Sequence, residues 1–297
     1  MKTLEYVLVY FGILILLNQT NENILANDLI YKSQVKKKIE NCQKIHSCKY
    51  FLRFVDIYDE MPTIYIITPT YLRETQMADL TRLRNTLLLV PKIVWIIVED
   101  SLEKSDKISS FAMESNLNIV HLAEKTLKLE KPSKYSAHKG VEQRNRGIYW
   151  IKEKQPQNAI VYFADDDNSY SLKLFEDIRS VKKIGVWPVA LVGGLKYEAP
   201  ICNNDKVVDW FYAYNQRRYV PTDMASFAIN VQLLYQFDDS YFERFTKSDL
   251  EGSFLKRLNI KVADFEPKAE VCSKIHVWHT RTMLVKIRKG EIVERKI

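Results

Sequence analysis

The chain has 297 residues, of which 46% are hydrophobic and 27% are charged. This composition is typical of a globular protein and excludes a collagen, a coiled coil and a disordered chain. Lysine and arginine total 44 against 37 aspartates and glutamates, which gives a net charge of +7. That charge favours anionic partners, but it is too small and too dispersed to indicate a nucleic-acid-binding protein.

A short apolar run near the start of the chain indicates entry into the secretory pathway. It extends from Tyr6 to Leu17 and follows one basic residue, Lys2. A membrane span usually needs about 20 apolar residues, whereas a signal peptide has an apolar stretch of roughly 7–15. Two interpretations stay open: a short membrane anchor over residues 6–20 behind a cytoplasmic tail of residues 1–5, and a cleaved signal. In both, the rest of the chain lies in a lumen or outside the cell.

Residues 21–60 are polar and charged, and we interpret them as a stem. The chain has four cysteines, Cys42, Cys48, Cys202 and Cys272. In an oxidising compartment an even number of cysteines allows disulfides, in any of three connectivities. A zinc site is not indicated, because the sequence has no C-x-x-C pair and no histidines paired at H-x₃₋₅-H spacing.

From residue 61 onwards, short apolar runs alternate with segments of helical periodicity. The pattern predicts strands at Ile64–Thr68, Ile93–Val98, Ile119–Leu122, Ile160–Ala164 and Val186–Gly194. It predicts helices from Leu80 to Val90, from Val141 to Lys154 and from Leu172 to Val181. Wholly apolar strands alternating with helices are typical of a parallel sheet covered on both faces. The predicted fold class is therefore α/β, of the doubly wound kind.

The alternation weakens after residue 195. Strands of a mixed sheet are predicted at Val207–Tyr212 and Ser226–Ile229, and one more helix is predicted from Leu250 to Leu258. Glu251 lies off the apolar stripe of that helix and is free to face a cleft. We therefore divide the globular part into a nucleotide-binding half, residues 61–195, and a more irregular half, residues 196–297.

Three consecutive aspartates, Asp165, Asp166 and Asp167, follow directly after a predicted apolar strand. In an open α/β sheet, ligands bind at the carboxyl ends of the strands. Three adjacent carboxylates repel one another, and a divalent cation that bridges a diphosphate resolves that repulsion. A solvated acidic turn is the alternative interpretation. No glycine-rich phosphate loop is present, which argues against an ATPase, a kinase and a dehydrogenase.

Further candidate residues follow other strands or open a helix. Tyr71 and Asp100 follow the first two strands, where a ring can stack on a base and a carboxylate can accept a base N–H. Arg144 lies at a helix start, which suits an anion. His279 and Arg281 are good partners for phosphate or carboxylate. Each also has a purely structural interpretation, such as packing for Tyr71.

Eight motifs in chain order resemble those of the β1,3-glucuronosyltransferases: PTIYIITPTY, VED, GVEQRN, VYFADDDNSYS, WPVALVGGLKYE, PTDMASFA, DLEGSFL and VWHTRT. The match runs from Pro62 to about Thr282. The resemblance implies an inverting, Mn²⁺-dependent enzyme of GT-A fold, with a mixed sheet and a parallel, Rossmann-like donor half. It implies transfer of glucuronic acid from UDP-glucuronic acid to the 3-hydroxyl of a terminal galactose. The expected acceptor is the Gal-Gal-Xyl linkage region of proteoglycans.

The resemblance also implies a role for each matching residue. Glu251 is the expected catalytic base, and Asp167 is the expected ligand of Mn²⁺. Tyr71 stacks on uracil and Asp100 reads its edge, while His279 and Arg281 hold the diphosphate and glucuronate end. The full expected donor set is Tyr71, Asp100, Lys139, Arg144, Asp165, Asp166, His279 and Arg281. The expected acceptor set is Glu198, Arg218 and Asp223. The resemblance implies a donor-binding subdomain over residues 61–195 and an acceptor-binding subdomain over residues 196–297, with His279 and Arg281 reaching the donor from the second.

Four positions depart from the family's pattern. Lys139 and Lys247 replace the usual arginine, Tyr214 replaces tryptophan and Gly252 replaces serine. These changes leave two alternatives open: a weak or inactive member that binds UDP-sugar or glycan, and an enzyme acting on lactosamine-type glycans. The resemblance further implies a homodimer and a single-pass type II Golgi membrane protein with a lumenal catalytic domain. Secretion after signal cleavage is the alternative location, and nucleic acid is not an expected partner.

Overall fold

The computed structural model describes residues 60–127, 138–213, 218–246 and 249–283. The predicted anchor or signal, the stem, Cys42, Cys48, Tyr214 and Lys247 lie outside these residues. In the described part of the chain, no helix has the length and apolar character needed to cross a membrane.

Strands and short helices alternate through the described residues. The strands are β1 (Thr63–Thr70), β2 (Ile93–Glu99), β3 (Ile119–Ala123), β4 (Ala159–Phe163), β5 (Ser169–Tyr170), β6 (Ile184–Val186), β7 (Val189–Ala190), β8 (Tyr197–Asn203), β9 (Lys206–Phe211), β10 (Phe227–Asn230), β11 (Phe265–Pro267) and β12 (Val277–Trp278). The helices are α1 (Gln76–Leu87), α2 (Asp106–Glu114), α3 (Val141–Lys154), α4 (Leu172–Arg179), α5 (Gln232–Gln236), α6 (Leu250–Arg257) and α7 (Ala269–Cys272). Short 3₁₀ turns occur at Met224–Ser226 and Val262–Asp264.

A seven-stranded mixed sheet with the order β11-β6-β10-β4-β1-β2-β3 forms the centre of the molecule. Strands β4, β1, β2 and β3 run parallel to one another, whereas β10 is antiparallel to both β4 and β6. Every residue of β2 and β4 is buried, as expected for strands covered on both faces. The predicted α/β fold with a mixed sheet and a parallel half is confirmed.

Helices cover both faces of this sheet. Alternate strand residues point to opposite faces, so Ile66 and Ile67 of β1 belong to two different cores. One core contains residues of α3 and α6, and the other contains residues of α1, α2 and α4. The carboxyl ends of the parallel strands are thereby held in one row, with helices on either side.

The second sheet is smaller, with the order β5-β12-β7-β8-β9. The single strand predicted at Val186–Gly194 is wrong, because β6 ends at Val186 in the first sheet and β7 belongs to the second. Pro188 separates the two strands and has no N–H for a sheet hydrogen bond. The indole of Trp187 is buried and donates to the carbonyl of Ala225 at 2.8 Å, which fixes the crossing point.

The halves on either side of residue 195 do not form separate sheets. β10 inserts between β4 and β6, and β11 forms the outer edge of the first sheet. Both strands come from the second half of the sequence. Residues of the two halves therefore meet at the carboxyl ends of the central strands.

One disulfide joins β8 to the α7 turn. It links Cys202 to Cys272, with a Cα–Cα distance of 6.3 Å, and this is among the connectivities that the sequence allows. The four residues from Ala269 to Cys272 all have positive φ, between 53° and 62°. A left-handed turn without glycine is strained, and the disulfide attaches its last residue to the neighbouring hairpin.

Candidate active site

The three aspartates form a turn, here called the acidic turn (Asp165–Asp167), directly after β4. The amide of Ala164 donates to the carbonyl of Ile67 at 3.0 Å, so the turn begins beside β1. Asp165 Oδ1 lies 2.5 Å from Arg144 Nη2, and the carbonyl of Asp165 accepts from the Tyr170 hydroxyl at 2.8 Å. The first aspartate is therefore an ion-paired structural anchor as well as a predicted donor contact.

Asp166 is 6% exposed and is held by two residues that follow β1 or end it. Its Oδ2 accepts from the Thr70 hydroxyl at 2.6 Å, and its Oδ1 lies 2.8 Å from Arg73 Nη2. Burial raises the pKa of Asp166, and the contacts with Arg73 and Thr70 oppose that rise. The second carboxylate is thus fully engaged by the protein.

Asp167 differs from its neighbours in the surroundings of its carboxylate. Among the described residues, no group donates a hydrogen bond or forms an ion pair to it, whereas its carbonyl accepts from Thr280 Oγ1 at 2.6 Å and Arg82 Nη2 at 3.0 Å. Burial, followed by the charges of Asp166 and Asp165, raises the pKa of Asp167. A cation beside this carboxylate would relieve both effects.

The residues present suit a cation whose remaining coordination positions are filled by a bound ligand. They do not suit a cation enclosed entirely by protein side chains. In the described ranges, no group of three or more histidine, cysteine or acidic side chains is arranged to enclose a metal. Hard divalent cations in phosphate sites are commonly held by one or two carboxylates together with substrate phosphates. Asp167 is the carboxylate of this site that is free for that role.

Tyr71 and Asp100 lie side by side at the ends of β1 and β2. The amide of Asp100 donates to the carbonyl of Thr70 at 2.8 Å. The ring of Tyr71 is 52% exposed, with the Arg73 guanidinium 4.7 Å from its centroid. Asp100 accepts from the Thr126 amide at 2.9 Å and from the Thr126 hydroxyl at 3.0 Å. A base at this position would stack on the exposed face of Tyr71 and share an acceptor already used by Thr126.

Lys125 completes the surroundings of the Asp100 carboxylate. Its Nζ lies 3.1 Å from Asp100 Oδ1. Burial opposes ionisation of Asp100, but the hydrogen bonds from Thr126 and Lys125 outweigh it and lower the pKa. Asp100 is therefore an anion that accepts hydrogen bonds.

Glu251 lies in the first turn of α6, partly buried and close to charges from three other segments. Burial, and then the negative charge of Asp223, raises its pKa to about 7, while Arg218 and Arg144 oppose the rise. A carboxyl group with a pKa near the working pH is suited to general-base catalysis. The structure brings Glu251 near the acidic turn, because Arg144 acts on both.

Asp223 and His279 connect the two predicted subsites. Asp223 caps the 3₁₀ turn with Oδ1, which accepts from the Ala225 amide at 2.9 Å. Its Oδ2 lies 3.6 Å from His279 Nδ1, and this contact raises the pKa of His279. The imidazole is thereby held in a form that favours positive charge next to the acidic turn.

The remaining predicted residues occupy the edges of the site. Glu198 on β8 is buried and accepts from the Ala213 amide at 3.1 Å. Arg281 and His279 line a cavity of about 560 Å³ together with residues 191–194 and Thr280. The side chain of Lys139 is exposed, and its carbonyl accepts from Arg144 Nη1 at 3.1 Å. Their binding roles stay predictions.

Gly252 has a specific packing reason in this chain. A Cβ at this position would collide with the carboxylate of Asp249. Asp249 Oδ2 accepts from the Tyr219 amide at 2.9 Å. The glycine therefore leaves room for a contact that ties the segment after Arg218 to the start of α6.

Sequence reasoning missed several residues that support the acidic turn. Thr70, Arg73, Asp79, Arg82 and Thr280 all contact the turn or a residue that contacts it. Of these contacts, the ion pair between Asp79 and Arg82 is the one that has a sequence signal, because residues three apart on a helix are neighbours. The other contacts join positions up to 113 residues apart.

Comparison with known protein families shows that this protein is a glycosyltransferase. The family model described as Glycosyltransferase family 43 matches residues 83–283, and the chain belongs to that family. The resemblance inferred from the eight motifs is thereby confirmed.

Curated relatives are similar to most of this chain. Galactosylgalactosylxylosylprotein 3-beta-glucuronosyltransferase 1 of Rattus norvegicus is 43% identical over 239 residues, which cover 75% of this chain and 70% of the relative. Galactosylgalactosylxylosylprotein 3-beta-glucuronosyltransferase 2 of Homo sapiens is 41% identical over 237 residues, covering 77% and 72% respectively. Among solved structures, S. aureus TarS 1-349 has a TM-score of 0.45 and 17% identity, covering 73% of this chain and 60% of that chain.

Proposed function

We propose that this protein transfers glucuronic acid from UDP-glucuronic acid to the 3-hydroxyl of a terminal galactose, in the Gal-Gal-Xyl linkage region of proteoglycans. Membership of family 43 and the names of its relatives support the reaction. The single observation that carries it is the difference between the three aspartates. Arg144 and Arg73 pair with the first two, while the carboxylate of Asp167 is free of hydrogen bonds and ion pairs from the described residues.

The proposed chemistry is one displacement with inversion at C1 of the donor sugar. Glu251 removes the proton of the acceptor hydroxyl as that oxygen forms a bond to C1. The bond from C1 to the diphosphate oxygen breaks at the same time, and UDP leaves. General-base assistance of this kind contributes typically about 10²–10⁴-fold. The pKa of about 7 at Glu251 makes the carboxylate available near neutral pH.

Mn²⁺ is the proposed cofactor, with Asp167 as its protein ligand. Such an ion supplies Lewis-acid neutralisation of charge on the leaving diphosphate. The donor also carries a carboxylate, so cationic side chains are needed around it. Arg144, His279 and Arg281 are the proposed ones. Arg144 pairs with Asp165 of the acidic turn, and the other two flank Thr280, which donates to the carbonyl of Asp167.

Base recognition is proposed for the ends of β1 and β2. Tyr71 supplies an exposed ring for stacking, and Asp100 supplies the acceptor for a base N–H. Glu198, Arg218 and Asp223 are the proposed acceptor-binding residues. Of these, Asp223 and Arg218 both act on the charge of Glu251, which supports their placement beside the reacting hydroxyl.

The proposed location is the Golgi membrane, with residues 6–20 as a short anchor and the described residues in the lumen; secretion after cleavage is the alternative. The apolar run Tyr6–Leu17 and the resemblance support it. A homodimer is proposed on the resemblance alone.

An acceptor assay tests the proposal. The full-length protein is purified in detergent and incubated with UDP-glucuronic acid, Mn²⁺ and either Gal-Gal-Xyl or a lactosamine glycan, with E251Q as the matched control. We expect transfer to the linkage trisaccharide that is lost in EDTA. Preference for lactosamine would reassign the acceptor. Binding of UDP without turnover on any galactoside would show that the protein is a binding member of the family.

A further inference from the structure

Asp79 is a buried carboxylate at which three segments of the donor region meet. It lies in α1 and is 0% exposed. Its Oδ2 accepts from Arg73 Nη2 at 2.8 Å, and its Oδ1 accepts from Arg82 Nη2 at 3.0 Å and from the Thr282 hydroxyl. Burial opposes its ionisation, but hydrogen bonds from Thr282, Arg73 and Thr75 outweigh burial and lower the pKa of Asp79. It is therefore a buried anion compensated on both oxygens.

Arg73 and Arg82 each contact both Asp79 and the acidic turn. The Nη2 atom of Arg73 that contacts Asp79 also lies 2.8 Å from Asp166 Oδ1. The Nη2 atom of Arg82 also donates to the carbonyl of Asp167 at 3.0 Å. Each arginine is thus shared between Asp79 and one residue of the acidic turn.

The third contact leads to the segment of residues 279–282, here called the terminal segment. Thr282 donates to Asp79, and Arg82 Nη1 donates to Thr282 Oγ1 at 3.1 Å. Thr280, two residues earlier, donates to the carbonyl of Asp167 at 2.6 Å. The threonines on both sides of Arg281 are therefore fastened through their hydroxyls, one to the acidic turn and the other to Asp79 and Arg82, while the Arg281 side chain remains exposed.

We propose that Asp79 is a positioning residue that fastens the terminal segment to the acidic turn and thereby sets the affinity for the diphosphate-linked donor. The inference rests on the donor site proposed above. When this contact is lost, residues 279–282 are no longer held in place. Donor binding must then order them, which costs free energy and lowers the affinity for the donor. In the described residues, neither Glu251 nor Glu198 has a hydrogen bond or ion pair with Asp79, Arg73, Arg82 or Thr282, and Asp223 meets the terminal segment through His279 at 3.6 Å. We therefore expect the change to raise the donor KM and to alter the acceptor KM little.

Variants of Thr282 give the most specific test, because its hydroxyl makes the contact with Asp79 and valine has the same shape without the hydroxyl. T282V removes the hydroxyl and keeps the volume, whereas T282S retains the hydroxyl. D79N removes the charge at the centre of the network. D177N is the matched control, since Asp177 Oδ2 contacts His276 Nδ1 at 3.0 Å and ties the chain before the terminal segment to α4, outside the site.

The full-length variants are compared in donor KM, acceptor KM, thermal midpoint and affinity for UDP with Mn²⁺ by calorimetry. We expect T282V and D79N to raise the donor KM and the UDP dissociation constant about tenfold, with acceptor KM within about twofold. T282S and D177N should match the parent in both donor readouts. The double variant D79N/T282V should have the same donor KM and UDP dissociation constant as D79N alone, because the two changes break one network.

Unchanged donor KM in T282V, or losses that multiply in the double variant, would overturn the inference. If D79N does not fold, T282V against T282S decides the question. Failure of the proposed function is a different result, in which the parent protein itself neither binds UDP nor transfers glucuronic acid. A parent that binds UDP without turnover still permits the test through calorimetry.

Discussion

Asp223 Oδ2 lies 3.6 Å from His279 Nδ1, which brings a predicted acceptor residue into contact with a predicted donor residue. The same aspartate is, after burial, the largest cause of the raised pKa of Glu251. Asp223 therefore acts on the proposed base and on a proposed donor cation together. Charge placed at one subsite changes the proton affinity of a group at the other.

Replacement of Glu251 by glutamine should remove the proposed base while keeping the size of the side chain. We expect kcat to fall about 10²–10⁴-fold with little change in the donor KM. Initial-rate kinetics with the linkage trisaccharide measure both constants. E243Q is the control, because Glu243 is exposed and pairs with Arg257 at 3.0 Å. Turnover by E251Q at the parental rate would exclude Glu251 as the base.

The raised pKa of Glu251 predicts a specific pH dependence. Its ionised form is the active one, so kcat/KM should rise as the pH increases through about 7 and then level off. The linkage to stability has the opposite sign. The folded state holds this proton more tightly than the unfolded state, whose pKa is near 4.5, so stability from this group is lost as the pH rises from that value to about 7. A rate profile already flat from pH 5 to 8 would contradict the assignment.

Asp167 and Asp166 should fail in different ways when they are changed. D167N should abolish Mn²⁺-dependent binding of UDP and leave the thermal midpoint close to that of the parent, because no described residue bonds to this carboxylate. D166A leaves Arg73 without one of its two carboxylate partners. A change of that kind costs about 3 kcal/mol in a buried pair. Calorimetric titration and thermal unfolding separate the two effects, and equal loss of stability in both variants would argue against the distinction.

Removal of the disulfide should destabilise the protein without changing the site. The bond joins residues 70 positions apart, and closing a loop of this length is worth about 4 kcal/mol in the chain-entropy model. We expect the C202S/C272S variant to unfold at a lower denaturant concentration than the parent. The comparison is repeated in reducing agent, where the two proteins should become alike. A variant as stable as the oxidised parent would show that the bond adds nothing.

The central strands could be predicted from the apolar runs, because a strand that is buried on both faces of a sheet is apolar at every position. IVWIIV and IVYFA were identified as strands and are buried throughout β2 and β4. Helix α2 and strand β8 were not predicted, because much of each element is exposed to solvent. Ile108 is the buried hydrophobic residue of α2, and β8 is largely exposed along one face. Partly exposed elements carry little hydrophobic periodicity, so they cannot be identified by it.

The acidic turn, Tyr71 and Asp100 were identified because they follow strands, and parallel strands end in one row. The support of the turn was not. Arg73, Asp79, Arg82 and Thr282 approach it from a helix flank and from the far end of the chain, and Asp79 and Thr282 are 203 positions apart. No local pattern records that such residues are close in space.

The sequence by itself determined the α/β class, the positions of the central strands along the chain and the family, because burial periodicity and short ordered motifs are local properties of the chain. Only the tertiary structure decided which carboxylate of the acidic turn stays free, which cysteines pair and which charges meet Glu251. Those outcomes depend on distances between segments remote in sequence, and the electrostatic and desolvation energies that set them act through space.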